Sequence, residues 1–175
     1  MNESSVIREA VADDAEALRA FFADLAAERL PQVFDLSRVP SVDQEREFIK
    51  RIDADATSVL FVAAAGDAIV GMLDFHGYQL SQRAHSGWLG MAVSRGRREA
   101  DVGTRLLEAA IAWVTDHSYR RVELSVFANN PRALRLYERQ GFVIEGRRAE
   151  AVRIGEGFVD LIEMARMIQT GETGA

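Results

Sequence analysis

Between Trp88 and Val114 the chain places four arginines, Arg95, Arg97, Arg98 and Arg105, around a turn that ends at Gly103-Thr104. Arginine offers a planar fork of donors that matches phosphate oxygens, so this cluster points to an anionic ligand. Side chains are only half of the donor set. The first N–H groups of a helix lack internal partners and the macrodipole adds partial positive charge there, so a helix opening out of this turn supplies main-chain donors for the same anion. Metal and thiol chemistry find no such footing. The chain has no cysteine and three scattered histidines, which removes disulfides, thiolate ligands and a cysteine nucleophile and argues against a zinc site.

Those donors need a strand and a helix to hold them. Trp88-Leu89-Gly90-Met91-Ala92-Val93 is an apolar run of strand length, and apolar residues at 102, 106, 110, 113 and 114 recur at helical spacing. The stretch therefore reads as strand, basic turn, helix.

A chain of 175 residues is long enough for one domain that buries roughly 70% of its unfolded surface. With 48% hydrophobic and 27% charged residues it has the composition of a soluble globular protein. The longest apolar run, Val59 to Ala65, is far too short to span a bilayer, and with no charged-then-apolar leader a cytoplasmic location is expected. The net charge of −6 argues against a nucleic-acid partner and suits a cationic substrate.

In chain order, Val6 to Ala10 predicts a first strand, and Asp13-Asp14-Ala15-Glu16 offers a capping box for a helix whose buried stripe is Leu18, Phe21, Phe22 and Leu25, ending near Leu30-Pro31. Ser41 to Gln44 offers a second capping box, ahead of Phe48, Ile49 and Ile52. Ser58 to Ala64 and Ala68 to His76 flank the turn pair Gly66-Asp67 as a hairpin. Gln79 to Ser86 is polar and loop-like. Beyond the central strand and helix, Arg121 to Phe127 predicts a strand, Pro131 a first helical position before Arg132 to Gln140, and Gly141 its stop. Phe142 to Ile154 and Phe158 to Ile168 predict two last strands around Gly155-Glu156-Gly157. This order gives an α/β sandwich: a mixed, mostly antiparallel sheet of six to seven strands with about four helices on its faces. A single domain over 1–168 and a tail over 169–175 are expected.

Leu124-Ser125-Val126-Phe127-Ala128-Asn129-Asn130-Pro131-Arg132-Ala133-Leu134-Arg135-Leu136-Tyr137-Glu138-Arg139-Gln140-Gly141-Phe142 resembles a pattern of the GNAT superfamily of acetyl-CoA-dependent N-acetyltransferases: Leu-x-Val, Asn-x-x-Ala, Leu-Tyr, Gly-Phe. The resemblance covers nearly the whole chain. Glu145-Gly146-Arg147 and Gly157-Phe158-Val159-Asp160 with Met164 are similar to the ends of protein, polyamine and small-amine acetyltransferases. The family's phosphate turn, Gln/Arg-x-x-Gly-x-Gly/Ala, aligns with Arg98-Glu99-Ala100-Asp101-Val102-Gly103, where Asp101 replaces the first glycine. Asp tolerates positive φ less well than glycine and brings negative charge beside an anion; it is alternatively a helix N-cap.

By that resemblance acetyl-CoA is the co-substrate. The backbone of Met91, Ala92 and Val93 would hold its pantetheine arm and the amides of the turn from Glu99 to Thr104, with Arg98 and Val102, its diphosphate. Asn130 would hold the pantetheine or the substrate side. A primary amine of a small metabolite or protein N-terminus would attack the thioester directly, and no membrane takes part. A main-chain donor at a bulge in the central strand would stabilise the oxyanion, a contribution on the order of 3 kcal/mol. Tyr137 matches the family's general acid. The resemblance supplies no base, since Ser125 and Gly87 stand where other members carry Glu; Glu123, Asp74, His76 and His85 remain candidates. Arg147, Arg148 and Arg153 either orient an anionic part of the substrate or face solvent. A second copy of the chain is a further candidate partner. The competing reading is a CoA-binding module with weak or lost catalysis.

Overall fold

Alternation of apolar and polar residues sets the strands, and helical apolar spacing sets what covers them. In the computed structural model of the protein, which describes residues 5–28, 39–97 and 101–169, these patterns give β1 (Val6–Glu9), α1 (Ala15–Ala27), α2 (Val42–Asp53), β2 (Ser58–Ala65), β3 (Ala68–Gly77), β4 (Ser86–Val93), α3 (Val102–Asp116), β5 (Arg121–Phe127), α4 (Pro131–Arg139), β6 (Val143–Ile154) and β7 (Gly157–Met167). The strands form one mixed sheet in the order β1-β2-β3-β4-β5-β7-β6. β1 with β2, β2 with β3, β5 with β7 and β6 with β7 pair antiparallel, and β4 with β5 pairs parallel. The fold class read from the sequence is the one found. Its end of α1 near Leu30-Pro31 and most of its tail over 169–175 lie outside the described residues.

The backbone clusters into two compact units, Met1–His76 with Gly90–Ala110, and Gly77–Leu89 with Ile111–Ala175. In the first, Leu18, Phe21, Phe22 and Leu25 of α1 and Ile49 and Ile52 of α2 pack on Leu60, Val62, Met72 and Ala92. On the opposite face of β3, Gly71 lets α3 sit close. A Cβ there would meet Val102 Cγ1 at 3.0 Å and Leu106 Cδ1 at 3.1 Å.

One of the two capping boxes forms as read. Ser41 Oγ accepts from Gln44 N–H at 3.2 Å and Gln44 Oε1 from Ser41 N–H at 2.8 Å, opening α2. The other does not. Asp14 stands at the N-cap of α1 without a side-chain cap bond; its carboxylate instead accepts from Arg8 at 2.6 and 2.7 Å and from Val11 N–H at 2.8 Å. The Val11 bond makes Asp14 the reaching acid at the start of the short 3-10 turn Ala12–Asp14 that precedes α1, so the carboxylate serves that turn and Arg8 in place of the α1 amides.

In the second unit Val122, Leu124 and Val126 are buried along β5, with Ile162 and Met164 of β7. Arg121, Glu123 and Ser125 alternate with them on the other face and are half-buried. Gly141, at φ +82, ends α4 in the left-handed region that glycine enters without strain.

Candidate active site

β4 is positioned by β3. Ser94 N–H donates to Val70 O at 2.9 Å and Tyr78 N–H to Ser86 O at 3.0 Å, which is one antiparallel register at both ends of the pair. Ala92 therefore stands across from Met72 and Gly90 across from Asp74. In that register residues 90 and 92 turn their main-chain groups towards β3, and Met91 and Val93 turn theirs to the other edge. Of the three residues expected to hold a ligand by their backbone, two face that edge and Ala92 does not.

After Val93 the chain makes a 3-10 turn over Arg95–Arg97, with Arg95 N–H donating to Glu28 Oε1 at 3.0 Å. Arg98, Glu99 and Ala100 lie outside the described residues. Asp101 is exposed with φ +53, and its carbonyl accepts the helical bond from Arg105 N–H at 3.0 Å. The Asp that replaces glycine thus takes the left-handed conformation itself, as Asp and Asn do more readily than other side chains. Val102, Gly103 and Thr104 follow as the first helical turn, whose amides have no partner within the helix. Arg105 departs from the expected arginine cluster: its Nη1 donates to Ser5 O at 2.8 Å and Ser5 Oγ at 3.3 Å, tying α3 to the start of the chain.

In the second unit Asn130 caps α4, its Oδ1 accepting from Ala133 N–H at 3.1 Å. That capping bond leaves the side-chain NH2 as its remaining polar group. Tyr137, one helical turn beyond Ala133, is buried, with its ring edge-on to Phe142 at 5.8 Å between centroids. Its hydroxyl makes no hydrogen bond among the described residues, and burial raises its pKa above that of a free phenol.

The candidate bases separate. Glu123 accepts from Arg121 Nε at 2.7 Å, Tyr78 Oη at 2.7 Å and Arg83 Nη2 at 3.0 Å. Burial alone would raise its pKa, but those donors hold it below the usual carboxylate range, unfit to take a proton. The His85 side chain is exposed. Ser125 Oγ donates to Glu163 Oε2 at 2.6 Å across the β5 and β7 register, so the hydroxyl that stands in place of the motif's carboxylate is engaged by an acid of the neighbouring strand. Arg147 pairs with Asp160 at 2.5 Å, Arg148 with Glu163 at 3.4 Å, and Arg153 Nε donates to Gly155 O at 3.2 Å, which engages all three late arginines within their own hairpin.

Asp74 differs. It is 5% exposed, its Oδ2 lies 2.9 Å from His76 Nε2, and its Oδ1 is buried without a partner. Sequence reasoning missed one more carboxyl. Glu45 on α2 is 3% exposed, with its pKa raised by burial; its place in the sequence, three residues before Phe48, reads as an exposed first-turn acid, and only packing reveals otherwise.

The model of the acetyltransferase (GNAT) family matches residues 19–142. The L-amino acid N-acetyltransferase AaaT of Escherichia coli (strain K12) is 31% identical over 166 residues, 93% of this chain and 97% of that protein. An acetyltransferase of the GNAT family from Streptococcus pneumoniae superposes with a TM-score of 0.87 at 27% identity, over 94% of this chain and 99% of that one. The yncA protein of Salmonella typhimurium, solved with its cofactor acetyl-CoA, superposes with a TM-score of 0.82 over 98% and 97% of the two chains, and at 17% identity shares the fold.

Proposed function

The chain belongs to the acetyltransferase (GNAT) family and is an N-acetyltransferase, and from that premise we propose that it moves the acetyl group of acetyl-CoA to the α-amino group of an L-amino acid or a close small-molecule analogue. The observation that carries the reading is Asp101. Its left-handed backbone, just ahead of α3, is the conformation in which the family's glycine opens the turn, which supports a diphosphate at the first-turn amides of Val102 to Thr104; Arg98, Glu99 and Ala100 join that set by resemblance alone. Met91 and Val93 direct main-chain groups to the edge of β4 away from β3, which supports the pantetheine arm there, and the NH2 of Asn130 is a further donor in this reading. The amino-acid class comes from the 31% identical relative, which spans nearly the whole chain. The whole span 1–168 acts as one catalytic domain in this reading.

Acetyl-CoA, when bound, supplies an acyl carbon activated as a thioester. Tyr137 holds a proton for the departing thiolate. A raised pKa makes a phenol a poorer acid in water, but a thiolate released beside a buried ring is desolvated too, which raises its own proton affinity and keeps the two matched. Thiol release measured across L-amino acids, simple amines and short peptides tests the assignment. Saturable release with free amino acids, abolished by blocking the α-amino group, is the expected result; preferential turnover of peptides would move the acceptor to protein N-termini.

The same proposal includes a cytoplasmic enzyme that pairs with a second copy. β6 is an edge strand, and it carries Val143 and Ile144 as exposed apolar side chains, an edge that a copy would cover. Light scattering at micromolar concentration would report a dimer.

A further inference from the structure

Resting on the reading that the chain acetylates an amine, we propose that Asp74 is the catalytic residue that receives the acceptor's ammonium group and removes its proton, and that His76 is its positioning residue. Proteins rarely leave a buried carboxylate oxygen without a donor unless a ligand completes it. Asp74 Oδ1 is in that state: the oxygen itself is fully enclosed and has no hydrogen-bond partner among the described residues. A protonated amine is the natural complement: a cationic donor, hydrogen-bonded and charge-paired at once.

Position agrees with chemistry. Asp74 faces Leu60 across β2 and, in the register set by Ser94 and Val70, Gly90 across β4. Residues directly across a sheet share a face, so Asp74 lies on the face of Leu60, Met72 and Ala92, the one that α1 and α2 cover. Gly90 puts no side chain there. The carboxylate therefore stands across from a residue without a side chain, one residue from Met91, the strand position that the proposed function gives to the acyl carrier's arm.

Behind it runs a line of hydrogen bonds. His76 Nδ1 is 3.2 Å from Ser58 Oγ, Ser58 Oγ is 2.8 Å from Asp55 Oδ2, and Asp55 Oδ1 accepts from Thr57 N–H and Oγ1–H at 2.9 and 2.7 Å. Ser58 has one hydroxyl hydrogen. Turned to Asp55, it leaves its oxygen to accept from His76 Nδ1–H; turned to His76, it satisfies a ring whose proton sits on Nε2 against Asp74. A rotation of one hydroxyl thus lets the Asp74 and His76 pair hold one proton more or less with no heavy atom moving. His76 keeps Oδ2 engaged and leaves Oδ1 for the substrate.

The step balances. The ammonium gives one proton to Asp74, and the nitrogen lone pair then forms the N–C bond as the C–S bond breaks. The second proton lost by nitrogen offsets the one gained by the thiolate, so amide, thiol and one net proton, returned to solvent, are the products.

The test compares an accepted amine with its fluorinated analogue, whose nitrogen is already neutral at about pH 7. Asp74→Asn is expected to lower kcat/KM for the protonated amine about 10²-fold and for the neutral analogue only slightly, with acetyl-CoA affinity by calorimetry unchanged. Equal losses on both amines, or no loss, would overturn the assignment. Should Asp74→Asn fail to fold, the same ratio is measured in His76→Gln, where a smaller but equally amine-selective loss is expected and an unselective one overturns the proposal. A parent protein that binds no acetyl-CoA would remove the functional reading as well, whereas normal binding with equal losses removes this inference alone.

Discussion

Asp101 and Tyr137 are the two residues of the proposed site at which changing a single atom group tests its role. At Asp101 the backbone is already left-handed, so replacement by glycine changes two things together: it relieves the cost of that φ, up to about 1 kcal/mol for a residue type that tolerates it, and it removes a negative charge from the turn. Asp101→Asn separates them. If charge is what opposes a diphosphate, both variants tighten acetyl-CoA binding in calorimetry, more at low salt than at physiological salt; no gain in either would place the carboxylate away from the ligand. Tyr137→Phe removes from a buried ring a hydroxyl that bonds to nothing among the described residues. Folding stability should hardly change, because no hydrogen bond is lost, while turnover falls and acetyl-CoA affinity stays. Unchanged turnover would take Tyr137 out of the proton path.

Among the elements, α3 is the most constrained, since its first turn presents the amides while its Val102 and Leu106 pack against Gly71. Gly71→Val puts side-chain atoms where α3 now lies. It should cost about 1–3 kcal/mol in denaturant unfolding and weaken acetyl-CoA binding by displacing the helix start; loss of stability with intact binding would show that α3 can move without disturbing the turn. The elements themselves were legible in the sequence because their signals are local. Gly66-Asp67, Ser41 to Gln44 and Asn130-Pro131 each set a boundary within a few residues. What was not legible depends on partners distant in sequence. Arg105 turns to Ser5, Glu123 to Arg121, Tyr78 and Arg83, and Ser125 to Glu163, so residues that looked free for chemistry are engaged. Asp74 shows the reverse: it is one of four candidates left once the motif's carboxylates are absent, and only its burial shows an oxygen left over.

At the scale of the molecule, many carboxylates are held below their ordinary pKa. Asp14 is lowered by the Arg8 hydrogen bond, Asp55 by Thr57 and Ser58, Glu145 by Arg121, and Asp160 by the Glu150 amide and Arg147. For a group whose folded pKa is depressed, the stabilisation is complete above its unfolded value and is lost as pH falls through the folded one. Stability should therefore hold down to the ordinary carboxylate range near pH 4 and decline steadily below it. Thermal melts followed by circular dichroism at stepwise lower pH check this, and Arg8→Met should flatten the part of the decline due to Asp14. A midpoint independent of pH through that range would show that these pairs persist in the unfolded chain. The acidic balance of the whole chain, −6, suits the cationic acceptor of the proposed function. The claim on which all of this turns is that acetyl-CoA is consumed only when an amine accepts its acyl group. Mass spectrometry of a reaction containing the protein, acetyl-CoA and a mixture of L-amino acids measures it directly: the account predicts an N-acetylated amino acid formed in step with free CoA thiol, and CoA release with no acetylated amine, or neither product, would contradict it.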